Sequence, residues 1–295
     1  MRPELFHIPF PWAKNGSIPI FSYGFMIMLG FIFSILYGAW RARKEGEDPN
    51  HVLDIGIYAV VSGILGARLF YYVEFYQKHF HDRPWYVMFY IWEGGIVFYG
   101  GLIAGAATVL TYLKLKRLPV WKFADLLSAT IPVGLSFGRL GCFLNGCCWG
   151  QVDKTGNALL AVQFPRNSPA WAYHVDHGWI APTAAWSLSV HCTQLYEWAG
   201  AWLIAAALFV YYRFHKREGQ VFAMLFILYG PVRYVIEGLR DHDPAERMVG
   251  WSILWDPMAQ QYMTKSQLVS LVVIGFGLVL WVAFTLRGNR YEQRT

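Results

Sequence analysis

The sequence is poor in charge. Asp, Glu, Lys and Arg make up only 15% of its 295 residues, whereas soluble globular domains carry about a quarter. Hydrophobic residues account for 56% and aromatic residues for 18%. Several apolar runs reach about 20 residues, the length that crosses a hydrocarbon core of about 30 Å. The composition therefore excludes an ordinary soluble domain and predicts a polytopic membrane protein.

Three further absences narrow the class of membrane protein to which the sequence can belong. The N-terminus lacks the compact basic region of a cleaved signal peptide, so we expect the first apolar run to stay in the mature protein. The four cysteines are too few for a disulfide scaffold. No internal repeat is visible, although repeats are typical of many transporters. The net charge of +6 predicts no nucleic-acid partner, because the basic residues gather in short segments between apolar runs.

The apolar runs predict an all-α integral membrane protein with a single polytopic domain, 1–295, because they are continuous and do not alternate. About seven transmembrane helices are predicted, at roughly 18–40, 52–73, 86–112, 123–144, 194–212, 220–239 and 268–286. Basic clusters follow the first, third, fifth and seventh. The positive-inside rule then places the N-terminus outside and the C-terminus in the cytoplasm. Loops 150–190 and 240–265 are expected to form an outward-facing head domain.

Five charged residues lie inside or near the ends of these spans: Arg68, Arg139, Arg233, Glu197 and Glu237. Charges at bilayer depth cost about 2.5–3.5 kcal/mol on the insertion scale, so they usually face a bundle interior or a wet cavity. Arg233 and Glu237 are four residues apart, which predicts an ion pair on one helical face. Arg139 has no acidic residue within one helical turn. Two arginines at similar depth therefore predict an anion site, and a phospholipid head group is the expected anion.

Paired glycines stand on both sides of Tyr99 in the stretch EGGIVFYGG, Glu93–Gly101. Glycine pairs weaken a regular helix and let the backbone approach a ligand. Close packing of helices explains most of the other glycines in the third and fourth spans. The pairs around Tyr99 favour a cavity beside it.

Five motifs occur in order along the chain: SYGFMIMLGF at Ser22–Phe31, WEGGIVFYGGLIAG at Trp92–Gly105, GRLGCFLNGCCWG at Gly138–Gly150, HCTQLYE at His191–Glu197 and YGPVRYVIEGLR at Tyr229–Arg240. Together they resemble the phosphatidylglycerol–prolipoprotein diacylglyceryl transferases. The resemblance runs from the first span to the seventh. Several long motifs in the same order are far more specific than any one of them.

The resemblance implies a multi-pass transferase of the bacterial plasma (inner) membrane. Members of that family move the sn-1,2-diacylglyceryl group of phosphatidylglycerol to the lipobox cysteine thiol of a preprolipoprotein. A thioether forms and glycerol 1-phosphate leaves. The implied partners are phosphatidylglycerol, other membrane lipids and the preprolipoprotein signal peptide. No metal and no cofactor is implied.

The resemblance also implies roles for residues. Arg139 matches the signature arginine that binds phosphatidylglycerol, and Arg233 is expected to help stabilise the phosphate leaving group. Glu237 is expected to orient Arg233. The implied catalytic residues are Arg139, Arg233, Tyr99, Tyr23 and Glu237, and the implied phosphatidylglycerol-binding residues are Arg139, Asn145, Gly150, Tyr229 and Arg233.

The sequence departs from the family pattern at two places. Tyr99 stands where members often carry a histidine that is assigned to catalysis, and a phenol is a poorer base at neutral pH than an imidazole. Tyr99 is therefore either activated by a nearby arginine or limited to hydrogen bonding, which we favour, or the base lies elsewhere. Cys142 and Cys147 stand where other members carry Asn and Glu, so the glutamate's role does not transfer to Cys147.

The four cysteines allow three interpretations. A metal site can be drawn from Cys142, Cys147, Cys148 and His191, but no CxxC motif occurs. A disulfide on the outward side, for instance Cys148 with Cys192, suits an oxidising compartment. Packing as small apolar side chains is the default. None of the four is expected to be the nucleophile, because the attacking thiol belongs to the substrate protein.

Other membrane functions fit the sequence less well. A retinal photoreceptor needs a lysine midway along the last span, and Lys265 lies before it. An intramembrane protease needs a Ser/His pair or two aspartates at depth, and Asp125 alone does not supply them. An anion or lipid transporter suits buried arginines and glycine-rich helices, but repeats and paired broken helices are not evident.

Overall fold

The computed structural model describes residues 4–9, 17–81, 83–90, 94–153, 156, 161–240, 255–256, 261–262 and 264–287. Trp92 and Glu93, and most of the predicted loop 240–265, lie outside these residues. The described part is mostly helical. Its α-helices are α1 Ser22–Lys44, α2 Pro49–Glu74, α3 Phe98–Leu115, α4 Val120–Ser128, α5 Thr130–Asn145, α6 Pro169–Asp176, α7 Thr193–Tyr211, α8 Gln220–Gly238 and α9 Lys265–Leu286.

The strands are short and pair locally. All three pairs are antiparallel: β1 Glu4–Pro9 with β2 Ser17–Phe21, β3 Ala161–Val162 with β4 Val190–His191, and β5 Trp255–Asp256 with β6 Gln261–Tyr262. A π-helical turn at Tyr76–Phe80 and a 3-10 turn at Trp85–Phe89 follow α2.

Six stretches of helix are long and apolar enough to cross a membrane: α1, α2, α3, Val120–Asn145, α8 and Ser266–Leu286. Only 17% to 50% of their most apolar windows is buried within the protein. Most of that apolar surface therefore needs lipid around it, and the coarse prediction of an all-α integral membrane protein is confirmed. The predicted fifth span forms α7 but is not among the six, since Gln194 and Glu197 lower the hydropathy of its first turns.

Two predicted spans differ from the observed helices. The third begins at Phe98 rather than near residue 86, because Gly94 and Gly95 adopt φ values of +77° and +74°, which a right-handed helix excludes. The fourth is divided at Ala129 into α4 and α5. Pro132 lacks the N–H that would bond to the carbonyl of Ser128, so the helix is interrupted there.

The chain forms two compact units, Ile35–Leu126 and Met1–Ser34 with Leu127–Thr295. In the unit Ile35–Leu126, the side chain of Asp48 caps α2 by accepting from the backbone N–H of Asn50, and Pro49 opens the helix. α2 and α3 pack at glycines: a Cβ on Gly66 would lie 2.7 Å from the Gly100 carbonyl oxygen. Small residues thus let the two backbones touch.

The other unit contains the N-terminal part of α1 and all of α5–α9. Gly30 of α1 sits against α5, where a Cβ would come within 3.1 Å of the Gly134 carbonyl oxygen. α9 begins with a capping box formed by Thr264 and Gln267. It packs on α8 at Gly230, where a Cβ would lie 3.0 Å from the carbonyl oxygen of Ser270.

A small apolar core forms within the predicted loop 150–190. Phe164, Ala170 and Val190 are completely buried, and Trp149 and Val162 pack against them. Ser168 caps the short helix α6 beside this core. The core fixes the strand pair β3–β4, which leads directly into α7.

Candidate active site of the helical unit

Three helices bring charged side chains together. Arg139 lies on α5, Glu197 on α7 and Arg233 and Glu237 on α8, and Arg240 follows α8. Each comes from a helix whose other side chains are largely apolar, so the charged groups turn inward toward one another. We call these five residues the arginine–glutamate chain.

The arginine–glutamate chain is continuous. Arg139 Nε lies 2.5 Å from Glu197 Oε2, and Glu197 Oε1 accepts from Arg233 Nη1 at 2.8 Å. Arg233 Nη2 lies 2.5 Å from Glu237 Oε2, and the same oxygen is 3.8 Å from Arg240 Nη1. Three arginines face two glutamates, so one positive charge is formally in surplus.

The predicted pairing of Arg233 with Glu237 is confirmed. Arg139 has no acidic residue within one turn of its own helix, and the structure supplies its partner from another helix, Glu197 of α7. The arginines nevertheless keep 18% and 17% of their side-chain surface exposed, while Glu197 keeps 6% and Glu237 keeps 3%. The carboxylates are thus the inner groups and the guanidinium groups the outer ones.

A small apolar depression adjoins the arginine–glutamate chain. Its wall brings Arg233 and Glu197 together with Tyr229, and the remaining lining is aliphatic. The lining residues are Leu135, Glu197, Ala201, Ile204, Tyr229, Val232, Arg233 and Ile236. The depression is small, and its lining combines an ion pair, a phenol and aliphatic side chains.

Tyr23 and Asn145 lie at the C-terminal half of α5, the half that carries Arg139. Tyr23, in the first turn of α1, packs over Gly141, where a Cβ would lie 3.1 Å from its ring atom Cδ2. A side chain at Gly141 would therefore need its neighbours on α1 to move by a few tenths of an ångström. Asn145 is the last residue of α5. The structure thus places Arg139, Tyr23 and Asn145 at the same end of α5.

Three cysteine thiols gather beyond the end of α5. Gly146, at φ +73°, ends the helix, and its N–H bonds to the Phe143 carbonyl while the Cys147 N–H bonds to the Cys142 carbonyl. This Schellman motif folds the chain back over the last helical turn. The Sγ atoms of Cys142, Cys147 and Cys148 lie within 4.8 Å of one another. We call them the thiol cluster.

All four cysteines are free thiols in the structure, so the suggested Cys148–Cys192 disulfide is not formed. The thiol of Cys192 instead donates to Gln194 Oε1 at 3.3 Å, and burial raises its pKa. Hydrogen bonds from the thiols of Cys142 and Cys147 lower the pKa of Cys148, and the positive charges of Arg240 and Arg139 act in the same direction. Cys148 is therefore the thiol that most readily carries negative charge.

The sequence matches the family model of prolipoprotein diacylglyceryl transferases over residues 11–283. The chain belongs to the prolipoprotein diacylglyceryl transferase family. A relative from Clostridium tetani is 31% identical, over 95% of this chain and 97% of its own length. Relatives from Hydrogenovibrio crunogenus and Escherichia fergusonii are each 30% identical and cover 93% and 90% of both chains. All three carry the name phosphatidylglycerol–prolipoprotein diacylglyceryl transferase.

Gly150 of this diacylglyceryl transferase family member is enclosed by backbone. Its N–H donates to the His191 carbonyl at 2.9 Å, and a Cβ would lie 2.5 Å from the Leu239 carbonyl oxygen. Close packing is thus sufficient reason for glycine at this position. Its expected contact with phosphatidylglycerol stays a prediction.

Tyr99 belongs to the other unit, Ile35–Leu126. It lies in the first turn of α3, two residues after the Val97 cap, and its side chain is 65% exposed. Its ring contacts that of Phe98. The expected role of its hydroxyl stays a prediction.

Two features of the arginine–glutamate chain could not be read from the sequence: the bridging position of Glu197 and the participation of Arg240. Glu197 bridges Arg139 and Arg233 from a different helix, and Arg240 reaches Glu237 from beyond the end of α8. A glutamate within an otherwise apolar run was the available signal for Glu197. The signal does not name a partner, because the partners lie on other helices.

Proposed function

We propose that this protein transfers the sn-1,2-diacylglyceryl group of phosphatidylglycerol to the lipobox cysteine thiol of a preprolipoprotein. A thioether forms and glycerol 1-phosphate is released. The relatives are named for this lipid donor and this protein acceptor. The observation that carries the proposal is the pair of guanidinium groups held by one carboxylate between apolar helices.

The lipid phosphate binds chiefly to Arg139 in this proposal. Arg139 engages Glu197 through Nε, so that ion pair does not use its terminal amino groups. Guanidinium groups bind phosphate oxygens through charge-assisted, often bidentate hydrogen bonds. Arg233 uses both terminal nitrogens for Glu197 and Glu237, so it contributes mainly its charge.

The same arginines stabilise the leaving group. The incoming sulfur forms a bond to the glycerol carbon while the bond from that carbon to the phosphate oxygen breaks. Negative charge then grows on the departing phosphate monoester. Cations held in place before the reaction stabilise that charge without reorganisation, which lowers the barrier selectively. Glu197 and Glu237 serve as positioning residues that hold Arg139 and Arg233 for this purpose.

Polar groups around the arginines complete the proposed lipid site. Tyr23 and Asn145 share one end of α5 with Arg139, and Tyr229 lines the depression beside Arg233. They are assigned to the glycerol and phosphate oxygens of the head group. Tyr99 is assigned a hydrogen bond to the reacting groups rather than a role as base.

The proposed topology has seven spans. α7 is added to the six membrane-length segments, because it packs between α5 and α8, which both belong to such segments. The N-terminus and the loops around β3–β4 face outward, and the C-terminus is cytoplasmic. The protein then lies in the bacterial inner membrane, with its site toward the outer leaflet and a lateral opening for the lipid.

Mass spectrometry of an acceptor peptide tests the function directly. The purified protein in lipid nanodiscs is incubated with phosphatidylglycerol and a lipobox peptide. We expect the peptide to gain the mass of one diacylglyceryl unit, and a peptide with serine in place of the cysteine to gain nothing. An unmodified cysteine peptide, with the lipid consumed or not, would refute the proposal. A lipid transporter would leave both peptides unchanged.

A further inference from the structure

The thiol cluster is not used by the proposed reaction, although its geometry is specific. Cys142 sits in the last turn of α5, and the Schellman turn at Gly146 places Cys147 over it. Cys148 has φ +62°, the left-handed region that side chains rarely adopt. The two backbone reversals bring three sulfur atoms within 4.8 Å of one another.

Contacts from α7 hold the backbone of this cluster in place. Thr193 Oγ1 donates to the Cys148 carbonyl at 2.8 Å, and Gln194 Nε2 donates to the Cys147 carbonyl at 2.7 Å. Both side chains are about 1% exposed. Strained residues persist where the surrounding structure determines them, and they concentrate at functional sites. The arrangement is therefore preorganised rather than a chance approach of three thiols.

The cluster has a ligand set that suits a soft metal ion. Zinc–sulfur bonds of 2.3 Å in a tetrahedral site place sulfur atoms about 3.8 Å apart, so a contraction of about 1 Å or less brings the three thiols into range. Among the described residues, no His, Asp or Glu ligand atom joins the group at that separation. Three protein ligands with one open position are the pattern of catalytic zinc sites.

The cluster also lies one helical turn from the arginine that is assigned to the lipid phosphate. Cys142 is three residues after Arg139 on α5, one helical turn away. Cys142 is buried, whereas Cys147 and Cys148 are only partly buried, so the cluster is open on their side. Both carboxylates of the arginine–glutamate chain are already in ion pairs. They are poor bases for a thiol, so the site needs another way of producing a thiolate.

We propose that Cys142, Cys147 and Cys148 bind a zinc ion whose open fourth position binds the acceptor cysteine as a thiolate. This inference rests on the proposed function. A thiol that coordinates zinc is deprotonated outright, and the thiolate is the nucleophile in such reactions. Arg139, one turn from Cys142, would hold the lipid phosphate beside the metal-bound sulfur.

The step balances without a redox partner. The acceptor S–H loses its proton to water as the sulfur binds zinc. The zinc-bound sulfur then uses one electron pair to form the C–S bond to the glycerol carbon, and the C–O bond to phosphate breaks with its pair on oxygen. Glycerol 1-phosphate leaves. The thioether is a weaker ligand than the thiolate, so the product dissociates and reopens the fourth position.

Metal content tests the site independently of activity. The full-length protein is purified under reducing conditions and analysed by inductively coupled plasma mass spectrometry. We expect about one zinc ion per chain in the wild-type protein. Each of the single substitutions Cys142→Ser, Cys147→Ser and Cys148→Ser should abolish zinc binding. Cys192→Ser is the matched control, since it removes a buried cysteine outside the cluster and should keep the metal. A wild-type protein without zinc would overturn the proposal.

Cobalt gives a spectroscopic readout of the fourth ligand without any substitution. The wild-type protein is stripped with a chelator and reloaded with Co²⁺ alone. Adding the lipobox peptide should strengthen the sulfur-to-cobalt charge-transfer absorption, whereas the serine peptide should not. An unchanged spectrum with the cysteine peptide would show that the acceptor thiol does not bind the metal, and it would overturn the proposal.

Diacylglyceryl transfer by the wild-type protein after a chelator has removed its metal distinguishes the zinc inference from the proposed function. Because a free thiol is only a few per cent ionised at pH 7, we expect metal removal to slow transfer by roughly thirtyfold, and Zn²⁺ to restore it. Undiminished transfer by the metal-free protein would overturn the zinc inference and leave the proposed function standing. A zinc-loaded protein that never modifies the peptide would overturn both.

Discussion

Arg68 in one unit and Arg139 and Arg233 in the other are stabilised in opposite ways. In the unit Ile35–Leu126, Arg68 is 3% exposed and donates to backbone carbonyls: Met88 through Nε at 3.0 Å, Val87 through Nη2 at 3.3 Å, and Gly94 and Gly95 through Nη1. In the other unit, Arg139 and Arg233 are more exposed and are paired with carboxylates. The residue type is the same, but the partners differ.

The difference separates an arginine that is fully committed to the backbone from one that is still open to an anion. All three guanidinium nitrogens of Arg68 donate to backbone carbonyls, so this side chain links the turn at Gly94 and Gly95 to α2. Arg139 uses one nitrogen for Glu197 and keeps part of its surface open. A buried charge satisfied by backbone stabilises the fold, whereas a partly open guanidinium group is available to an anion. Four substitutions break or sharpen this comparison, beginning with the largest expected effect on transfer.

Arg139→Ala should abolish transfer while the protein still inserts and folds. Loss of one preorganised donor to a developing oxyanion lowers rates by about 10²–10³, and this change also removes the phosphate contact. The rate of diacylglyceryl transfer measures the effect, with size-exclusion chromatography as the check on folding. Arg213→Ala, at an exposed position after α7, is the matched control and should behave as wild type. A wild-type rate in purified Arg139→Ala would end the assignment.

Glu197→Gln keeps the shape of the bridge and removes its charge. Arg139 and Arg233 should then repel each other and shift, and misplacement by about 1 Å can cost about a hundredfold in rate. We expect a fall of that order in transfer at saturating phosphatidylglycerol. Glu74→Gln changes an exposed carboxylate and should have no effect. If Glu197→Gln were as active as wild type, the bridge would be only structural.

Tyr99→Phe tests a hydroxyl of the unit Ile35–Leu126. A hydrogen bond of ordinary strength contributes about 0.5–1.5 kcal/mol, so we expect a loss of at most about tenfold in transfer. Tyr86→Phe, on another exposed tyrosine of the same unit, provides the comparison. Near-normal turnover would remove Tyr99 from the mechanism, and a loss of a thousandfold would make it the acid or base.

Arg68→Met should have the smallest effect on transfer per folded molecule, less than about threefold, and the largest effect on stability. Each buried carbonyl left without its donor costs about 1–3 kcal/mol, so the midpoint of thermal unfolding should fall by several degrees. Lys116→Met removes an exposed charge from the same unit and should leave the midpoint unchanged. A stable Arg68→Met protein with no transferase activity would reverse the comparison.

Local patterns predicted much of the fold. Apolar runs of membrane length predicted every helix of the six spans, and the spacing of Arg233 and Glu237 predicted their ion pair. Local patterns were less successful at helix ends. The start of α3 depended on the positive φ values of Gly94 and Gly95, and the break before α5 depended on Pro132. A hydropathy average over many residues does not resolve single backbone reversals.

The amino-acid sequence alone determined that the protein is an integral membrane protein, which arginines lie within its apolar spans, and which family it resembles. These properties depend only on composition and on the order of residues along the chain. Only the tertiary structure decided that Glu197 joins Arg139 to Arg233, that Arg68 is satisfied by carbonyls, and that three thiols meet beyond α5. Those contacts join residues on different helices or across a chain reversal. They are set by how helices pack in space, and sequence separation carries no record of that packing.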